Sequence, residues 1–210
     1  MNIASIRRNR APTYSMPIAA TLLVACVALG QGTVIYDQQS STEADLGAQG
    51  FSIASNQPIG QSFTPSLEAV RFIRMSLSRG SFNQGATIYL NLRSDSITGA
   101  VLAATSPVAL AVGFIGTVDF LFASDVPVSP GTTYYFQPII QSGGPFFVTG
   151  DSFRYPGGSA FLQGDPVSED LWFREGIIVP EPTAFALVLF GGGVFAYARR
   201  RQNSSVSQAS

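Results

Sequence analysis

The sequence has 210 residues, of which 46% are apolar, enough for one folded domain with a substantial core. Its twelve basic residues are all arginine, and six of them lie near the two ends of the chain. The stretch from Asp37 to Glu181 therefore sets six arginines against all thirteen acidic residues, a formal charge of minus 7. A surface this acidic repels phosphate, so the composition predicts no nucleic-acid partner.

The chain has no histidine and a single cysteine, Cys26. Without histidine, the commonest general base and the commonest zinc ligand are missing, which excludes the hydrolases and zinc enzymes that depend on it. Cys26 lies in an N-terminal apolar run, so the rest of the chain can form no disulfide. We therefore predict a domain that is not an enzyme, needs no cofactor and is stabilised by packing.

The N-terminus has the composition of a secretion signal. A basic segment, Arg7–Arg10, precedes the uncharged run Pro17–Leu29, which has the length of a signal-peptide core and is short for a membrane span. Residues 1–32 are therefore predicted to be a signal helix that signal peptidase removes, leaving a mature chain that starts near Gln31 or Thr33. Two alternatives are a lipidation motif ending at Cys26 and a twin-arginine signal at Arg7 and Arg8.

Residues 33–178 alternate apolar and polar side chains, with many turn residues and no amphipathic helix, which predicts an all-β domain. The clearest strand is Ala86–Ser94, and Thr117–Ala123 repeats its alternation. In Thr132–Ile140, Pro138 predicts an edge or a bulge. Further strands are predicted at Thr33–Asp37, Gly60–Thr64, Val70–Ser78, Val101–Thr105, Phe146–Thr149, Ala160–Gln163 and Leu171–Glu175. Nine or ten short strands imply an antiparallel β-sandwich.

Two segments of this domain, Ile59–Thr64 (IGQSFT) and Val128–Tyr135 (VSPGTTYY), resemble stretches of jelly-roll modules in bacterial surface proteins. Some of those modules bind carbohydrate, so the resemblance implies a jelly-roll-like sandwich and a possible glycan ligand. Sugar rings stack on exposed aromatic faces, and the candidates here are Trp172, Tyr155 and Phe153. Trp172 lies in a predicted strand between two apolar neighbours, which favours burial of its ring.

Carboxylates are the remaining candidates for chemistry. Asp165, Glu169 and Asp170, with Glu175 nearby, are the one stretch that offers several, as a carboxylate-dependent glycan-acting enzyme would require. The same loop is an alternative site for a structural calcium. A second loop with calcium candidates contains Asp37, Glu43 and Asp45. Solvated loop carboxylates are the simpler interpretation, and we predict no metal.

The C-terminus combines three features in a fixed order. Val179-Pro180-Glu181-Pro182 leads into the sixteen uncharged residues Thr183–Ala198, and Arg199, Arg200 and Arg201 follow. An uncharged run of sixteen residues reaches about 24 Å as a helix, marginally enough to span a bilayer, and the positive-inside rule places the arginines in the cytoplasm. An acidic domain on the other side of the membrane agrees with an N-terminal export signal.

The order of these features in residues 179–201 resembles the PEP-CTERM sorting signal, read by an exosortase in Gram-negative bacteria that produce exopolysaccharide. The resemblance implies that a transmembrane helix holds the protein in the inner membrane during transit. The protein is then expected at the cell surface or in the extracellular matrix. Exopolysaccharide or envelope matrix is the partner it implies. Residues 202–210 form a short cytoplasmic tail in this interpretation, and the alternative is a structural surface protein with a permanent anchor.

Overall fold

The computed structural model describes residues 32–42, 49–79, 84–153 and 155–180. The elements in these ranges are all strands, and none of the described residues form a helix long and apolar enough to cross a membrane. In chain order the strands are β1 (Thr33–Gln39), β2 (Gln49–Ser52), β3 (Gly60–Phe63), β4 (Ala69–Arg79), β5 (Ala86–Ser94), β6 (Val101–Ala104), β7 (Val108–Leu110), β8 (Ile115–Pro127), β9 (Tyr134–Gly143), β10 (Phe146–Asp151), β11 (Ala160–Leu162), β12 (Asp165–Pro166), β13 (Asp170–Leu171) and β14 (Phe173–Val179). The predicted signal helix, the predicted transmembrane helix and the tail lie outside the described ranges.

The strands form two antiparallel sheets. The first sheet has the order β1-β14-β4-β10-β13, with β2 also on β10 and β8 also on β4. The second has the order β12-β11-β3-β9-β5-β6, with β7 also on β5. Both sheets contribute apolar side chains to one shared core, so the predicted all-β antiparallel sandwich is confirmed.

Strict alternation explains how the core forms. On β5, Ile88, Leu90 and Leu92 are completely buried, while the residues between them are only partly covered. The next long strand, β8, buries Val118, Phe120 and Phe122 in the same way. Since side chains on a strand point to opposite faces in turn, each of these strands covers the core with one face only. Both inward sets are those that the sequence pattern predicts.

Three phenylalanines join the two sheets at the centre of the sandwich. Phe63 of β3 and Phe136 of β9 belong to the second sheet, and Phe173 of β14 belongs to the first. Their ring centroids are 6.1, 5.2 and 6.4 Å apart, and all three side chains are fully buried. Tilted contacts at this spacing add to the free energy gained from burial alone. β14 is thereby held firmly in the core.

The position of Pro138 corrects one expectation. β9 is an interior strand of the second sheet, between β3 and β5, and not an edge. The pairing with β3 ends at Phe136, so Pro138 lies beyond it, and its carbonyl accepts a hydrogen bond from Gln57 Nε2 at 2.8 Å. A proline is tolerated there because no ladder partner needs its missing N–H. Pro138 is not at a bulge either, because it pairs with Leu90, and the register shift of this ladder lies at Gln141 of β9, opposite Thr87 and Ile88.

Candidate sorting site and a buried acidic pair

The predicted sorting motif begins inside the folded domain. Val179 is the last residue of β14 and pairs with Thr33, the first residue of β1. A Cβ added at Gly32 would lie 2.5 Å from the carbonyl oxygen of Val179. The backbone that leads into β1 therefore lies in close contact with the end of β14. Pro180 follows and is exposed. The other predicted motif residues, Glu181, Pro182, Arg199, Arg200 and Arg201, lie outside the described ranges.

A glycine allows β1 to approach β14 closely. A Cβ at Gly176 would collide with the carbonyl oxygen of Ile35. On the outer face, Tyr36 of β1 reaches past this glycine and packs edge-on against Phe72 of β4, with ring centroids 5.6 Å apart. The guanidinium of Arg174 lies over the same tyrosine ring, 3.4 Å from its centroid. These contacts fasten the first strand to the strand that carries the sorting motif.

Asp37 lies at a bulge in β1, where the pairing with β14 shifts register between Tyr36 and Gln38. Its carboxylate accepts hydrogen bonds from the backbone N–H groups of Ser66 at 2.7 Å and Leu67 at 3.0 Å, and from the Ser66 hydroxyl. Burial raises the pKa of this carboxyl, but the bonds from Ser66 and Leu67 outweigh it and hold the pKa below its ordinary value. Asp37 is therefore the ionised member of the site.

Glu175 is the other acidic group. It pairs with Gln38 of β1 and Ile73 of β4, shares the core face of β14 with Phe173, and has no exposed surface. Burial, then the nearby Asp37 charge and contact with Asp37, raise the pKa of Glu175 to about 9. Among the described residues neither carboxyl oxygen has a well-formed hydrogen bond, although Asp37 and the backbone of Gln38 are near. At neutral pH this carboxyl is protonated.

Tyr155 covers the pair and is not available to a ligand. Its side chain is buried, and its ring packs edge-on against Phe173 with centroids 5.2 Å apart. The hydroxyl donates to Gln38 Oε1 at 3.1 Å and accepts from the N–H of Thr64. Burial, and to a smaller extent the charges of neighbouring carboxylates, raise the pKa of Tyr155 to about 12. The ring of Tyr155, a predicted glycan contact, is therefore not presented at the surface.

Asp170 ties the two sheets together. It is buried, and its two oxygens accept hydrogen bonds from Gln61 Nε2 at 2.9 Å and from the backbone N–H of Tyr155 at 2.8 Å. Gln61, part of the IGQSFT segment, returns a bond by accepting from the N–H of Leu171 at 2.9 Å. The segment that resembles jelly-roll modules thus supplies a polar cross-link between β3 and β13. Both Asp170 oxygens are occupied by this structural role.

The other calcium and catalytic candidates are not gathered around Asp170. Asp165 is exposed on β12, and Glu169 is half-buried and accepts from the hydroxyl of Ser168 at 3.2 Å. The described residues contain no group of three or more His, Cys, Asp or Glu that could hold a metal. Glu43 and Asp45 lie outside the described ranges.

Trp172 is completely buried, as its apolar neighbours predict, and so it offers no face to a sugar. Its indole N–H donates to the carbonyl of Thr42 at 3.1 Å, and its backbone N–H donates to Thr149 at 2.8 Å. The predicted strand 171–175 is divided at this residue, because the chain leaves β10 and moves onto β4. Phe153, the third glycan candidate, is half-buried.

A shallow groove on the outer face of the second sheet is a feature that sequence reasoning missed. Tyr89 of β5 and Ile139 of β9 lie opposite each other on the face that turns away from the core. The groove has a volume of about 540 Å³, and its lining contains no charged side chain: Tyr89, Ala104, Thr105, Pro107, Ile139, Ile140 and Gln141. The aromatic ring of Tyr89 and the exposed amide of Gln141 combine stacking with hydrogen bonding on this surface. The alternation of β5 indicated the outward direction of Tyr89.

These observations define a class of protein: an acidic all-β domain whose last strand continues directly into a proline-containing segment near an uncharged run. A family model for the PEP-CTERM protein-sorting motif matches residues 179–202. No curated protein and no solved structure matches the chain. The chain carries a PEP-CTERM sorting motif after a β-sandwich-like domain, and the predicted motif is confirmed. The motif marks a secreted or surface protein that an exosortase processes at the membrane.

Proposed function

We propose that this protein is a non-catalytic module of the cell envelope or extracellular matrix, carried there as the cargo of its own sorting signal. The observation that supports this is the continuity of β14 with the motif at Val179, since no further folded unit lies between the described domain and the matched segment. Signal peptidase removes residues 1–32, and the run at 183–198 holds the chain in the inner membrane of a Gram-negative cell until the exosortase acts.

The positions of the carboxylates support a non-catalytic role. A glycan-acting enzyme needs two accessible carboxyl groups that face one another across a substrate. Asp170 has both oxygens bound by the protein, and Glu175 is enclosed in the core. Asp165 is exposed on β12. The alternative of a carboxylate-dependent enzyme finds no support in this arrangement.

Association with neutral glycan is the binding role that the surface favours. The domain is acidic, so anionic polymers are repelled, and the groove at Tyr89 has no charged lining residue. Exopolysaccharide or another neutral polymer of the envelope matrix is therefore the proposed partner. The groove takes the place of the buried aromatic residues Trp172 and Tyr155 as the contact surface.

Substitution of the motif tests the sorting half of the proposal. Glu181→Ala and Pro182→Ala leave the uncharged run intact, so a plain anchor would behave as the wild type does. If an exosortase reads the motif, each variant should accumulate as full-length protein in the inner membrane. Replacing all three of Arg199, Arg200 and Arg201 with alanine should instead weaken the membrane stop and release the chain.

Fractionation followed by mass spectrometry of the mature C-terminus distinguishes these results. Pro166→Ala is the matched control, because Pro166 is an exposed proline outside the motif. Wild-type protein that still ends at Ser210 in cells possessing an exosortase would overturn the proposal and favour a permanent anchor.

A further inference from the structure

The end of the domain nearest the sorting motif is a two-stranded ribbon. Thr33–Ile35 of β1 pair with Ile177–Val179 of β14, whereas the pairing of β14 with β4 stops at Gly176. Among the described residues, the last three rungs of this ladder therefore have no third strand paired with them. The ribbon projects from the paired part of the first sheet.

This ribbon is apolar on both faces. Val34, Ile35 and Val179 are 41%, 42% and 39% exposed, and Ile177 and Ile178 are half-buried. Neighbouring residues on a strand point to opposite faces, so Val34 and Ile35 expose side chains on the two sides. Water contact with this much aliphatic surface is unfavourable by about 25 cal/mol per Å². Aliphatic side chains exposed together on one ribbon favour an apolar contact partner.

The chain beyond the ribbon limits which partner can reach it. Only Pro180, Glu181 and Pro182 separate Val179 from Thr183, where the uncharged run begins. Four residue steps span at most about 14 Å even when fully extended. The headgroup layer on each side of a bilayer is roughly 5 to 8 Å thick. While the run is in the membrane, Val179 is therefore held within about 9 Å of the outer edge of the headgroups, close enough for the ribbon to reach them.

We propose that the ribbon formed by residues 33–35 and 177–179 rests in the lipid headgroup layer before processing, with its aliphatic side chains as the membrane contact of the domain. This contact rests on the proposed membrane stage of the protein. It fixes the orientation of the domain and keeps the Pro-Glu-Pro segment at the membrane surface. A second copy of the chain or a protein partner would be the competing occupants.

The test uses residues 33–210, the chain that remains after the proposed removal of residues 1–32 and of Cys26 with them, reconstituted into phosphatidylcholine vesicles. Single cysteines at Ile35 and, separately, at Val34 carry an environment-sensitive fluorophore, and Ile115→Cys is the control. Ile115 is 70% exposed and lies on β8, outside the ribbon. We expect blue-shifted emission at positions 34 and 35, with quenching by a nitroxide attached to lipid and loss of quenching by aqueous iodide. A fluorophore at position 115 should show no blue shift, should be quenched by iodide and should not be quenched by the lipid nitroxide.

Three results would overturn the contact. Equal iodide quenching at positions 34, 35 and 115 would leave the ribbon in water. Protection from both quenchers, reversed when the protein is diluted in the membrane, would assign the ribbon to a second copy. A chain that stays out of the vesicles, and out of the membrane fraction of cells, would refute the membrane stage itself and with it the contact.

Discussion

Replacing Glu175 with glutamine should make the folded protein more stable at neutral pH. The carboxyl is fully buried, and its pKa is about 9, chiefly because burial disfavours its charge and then because Asp37 is negative and in contact. In the unfolded chain its pKa returns to the ordinary value of 4.5. Folding at pH 7 must therefore bind a proton at this site, whereas glutamine is neutral in both states.

The size of the effect follows from the linkage between proton binding and folding. pH 7 lies about 2.5 pH units above the ordinary pKa, and each unit corresponds to about 1.4 kcal/mol, so proton uptake costs at most about 3.5 kcal/mol. Because the folded state holds the proton more tightly, this group lowers stability as pH rises from about 4.5 to about 9, and its effect levels off above that. Asp37, with a lowered pKa, acts oppositely: its stabilisation is lost as pH falls below its ordinary range.

Urea unfolding of the processed protein between pH 5 and pH 9 measures this effect. The wild type should lose stability steadily across the range, whereas Glu175→Gln should give a flatter profile and a gain at pH 7 of about 1 to 3 kcal/mol. Glu68→Gln, the same change at an exposed side chain, should follow the wild-type profile. Parallel profiles for wild type and Glu175→Gln would refute the claim that this carboxyl folds in its neutral form.

Three further changes test other parts of the structure. Asp170→Asn can accept only one of the two buried hydrogen bonds and should lower the free energy of unfolding by about 1 to 3 kcal/mol, while Asp165→Asn at an exposed site should be near neutral. Gly176→Ala places a Cβ against the carbonyl oxygen of Ile35 and should cost about 1 to 3 kcal/mol, seen as a lower Tm. Tyr89→Ala should weaken retention on a neutral polysaccharide column by about tenfold, and unchanged retention of a protein that binds would exclude the groove.

The strands with regular alternation were the predictable part of the fold. The bounds of β5, Ala86–Ser94, are those that the sequence pattern gives, because apolar residues at every second position leave one register that buries them. The strands β2, β7 and β12 were missed, since each has four residues or fewer and lies on the side of a longer strand. In segments this short, apolar and polar residues alternate too few times for the sequence pattern to distinguish a strand from a turn.

The sorting motif was the part of the candidate site that could be predicted from the sequence. The motif at Val179 to Pro182 could be identified from sequence because its meaning depends on that order. Glu175 was interpreted as a carboxylate near a loop, although it lies two residues after Phe173 and so shares its inward face. The burial of Tyr155 depends on its packing against the same phenylalanine, a contact between distant parts of the chain that local pattern cannot show.

The antiparallel ladder around β14 also determines how the domain responds to mechanical force. Tension applied through the sorting segment pulls along the axis of β14, which pairs with β1 over six rungs and with β4 over four. Hydrogen bonds that lie across the direction of pull are loaded in shear and share the load, whereas bonds peeled from one end break singly. If the C-terminal strand is pulled while the domain is held by a matrix, all the hydrogen bonds of the β14 ladders resist unfolding together. Moving β14 would also pull the ring of Phe173 out of the core.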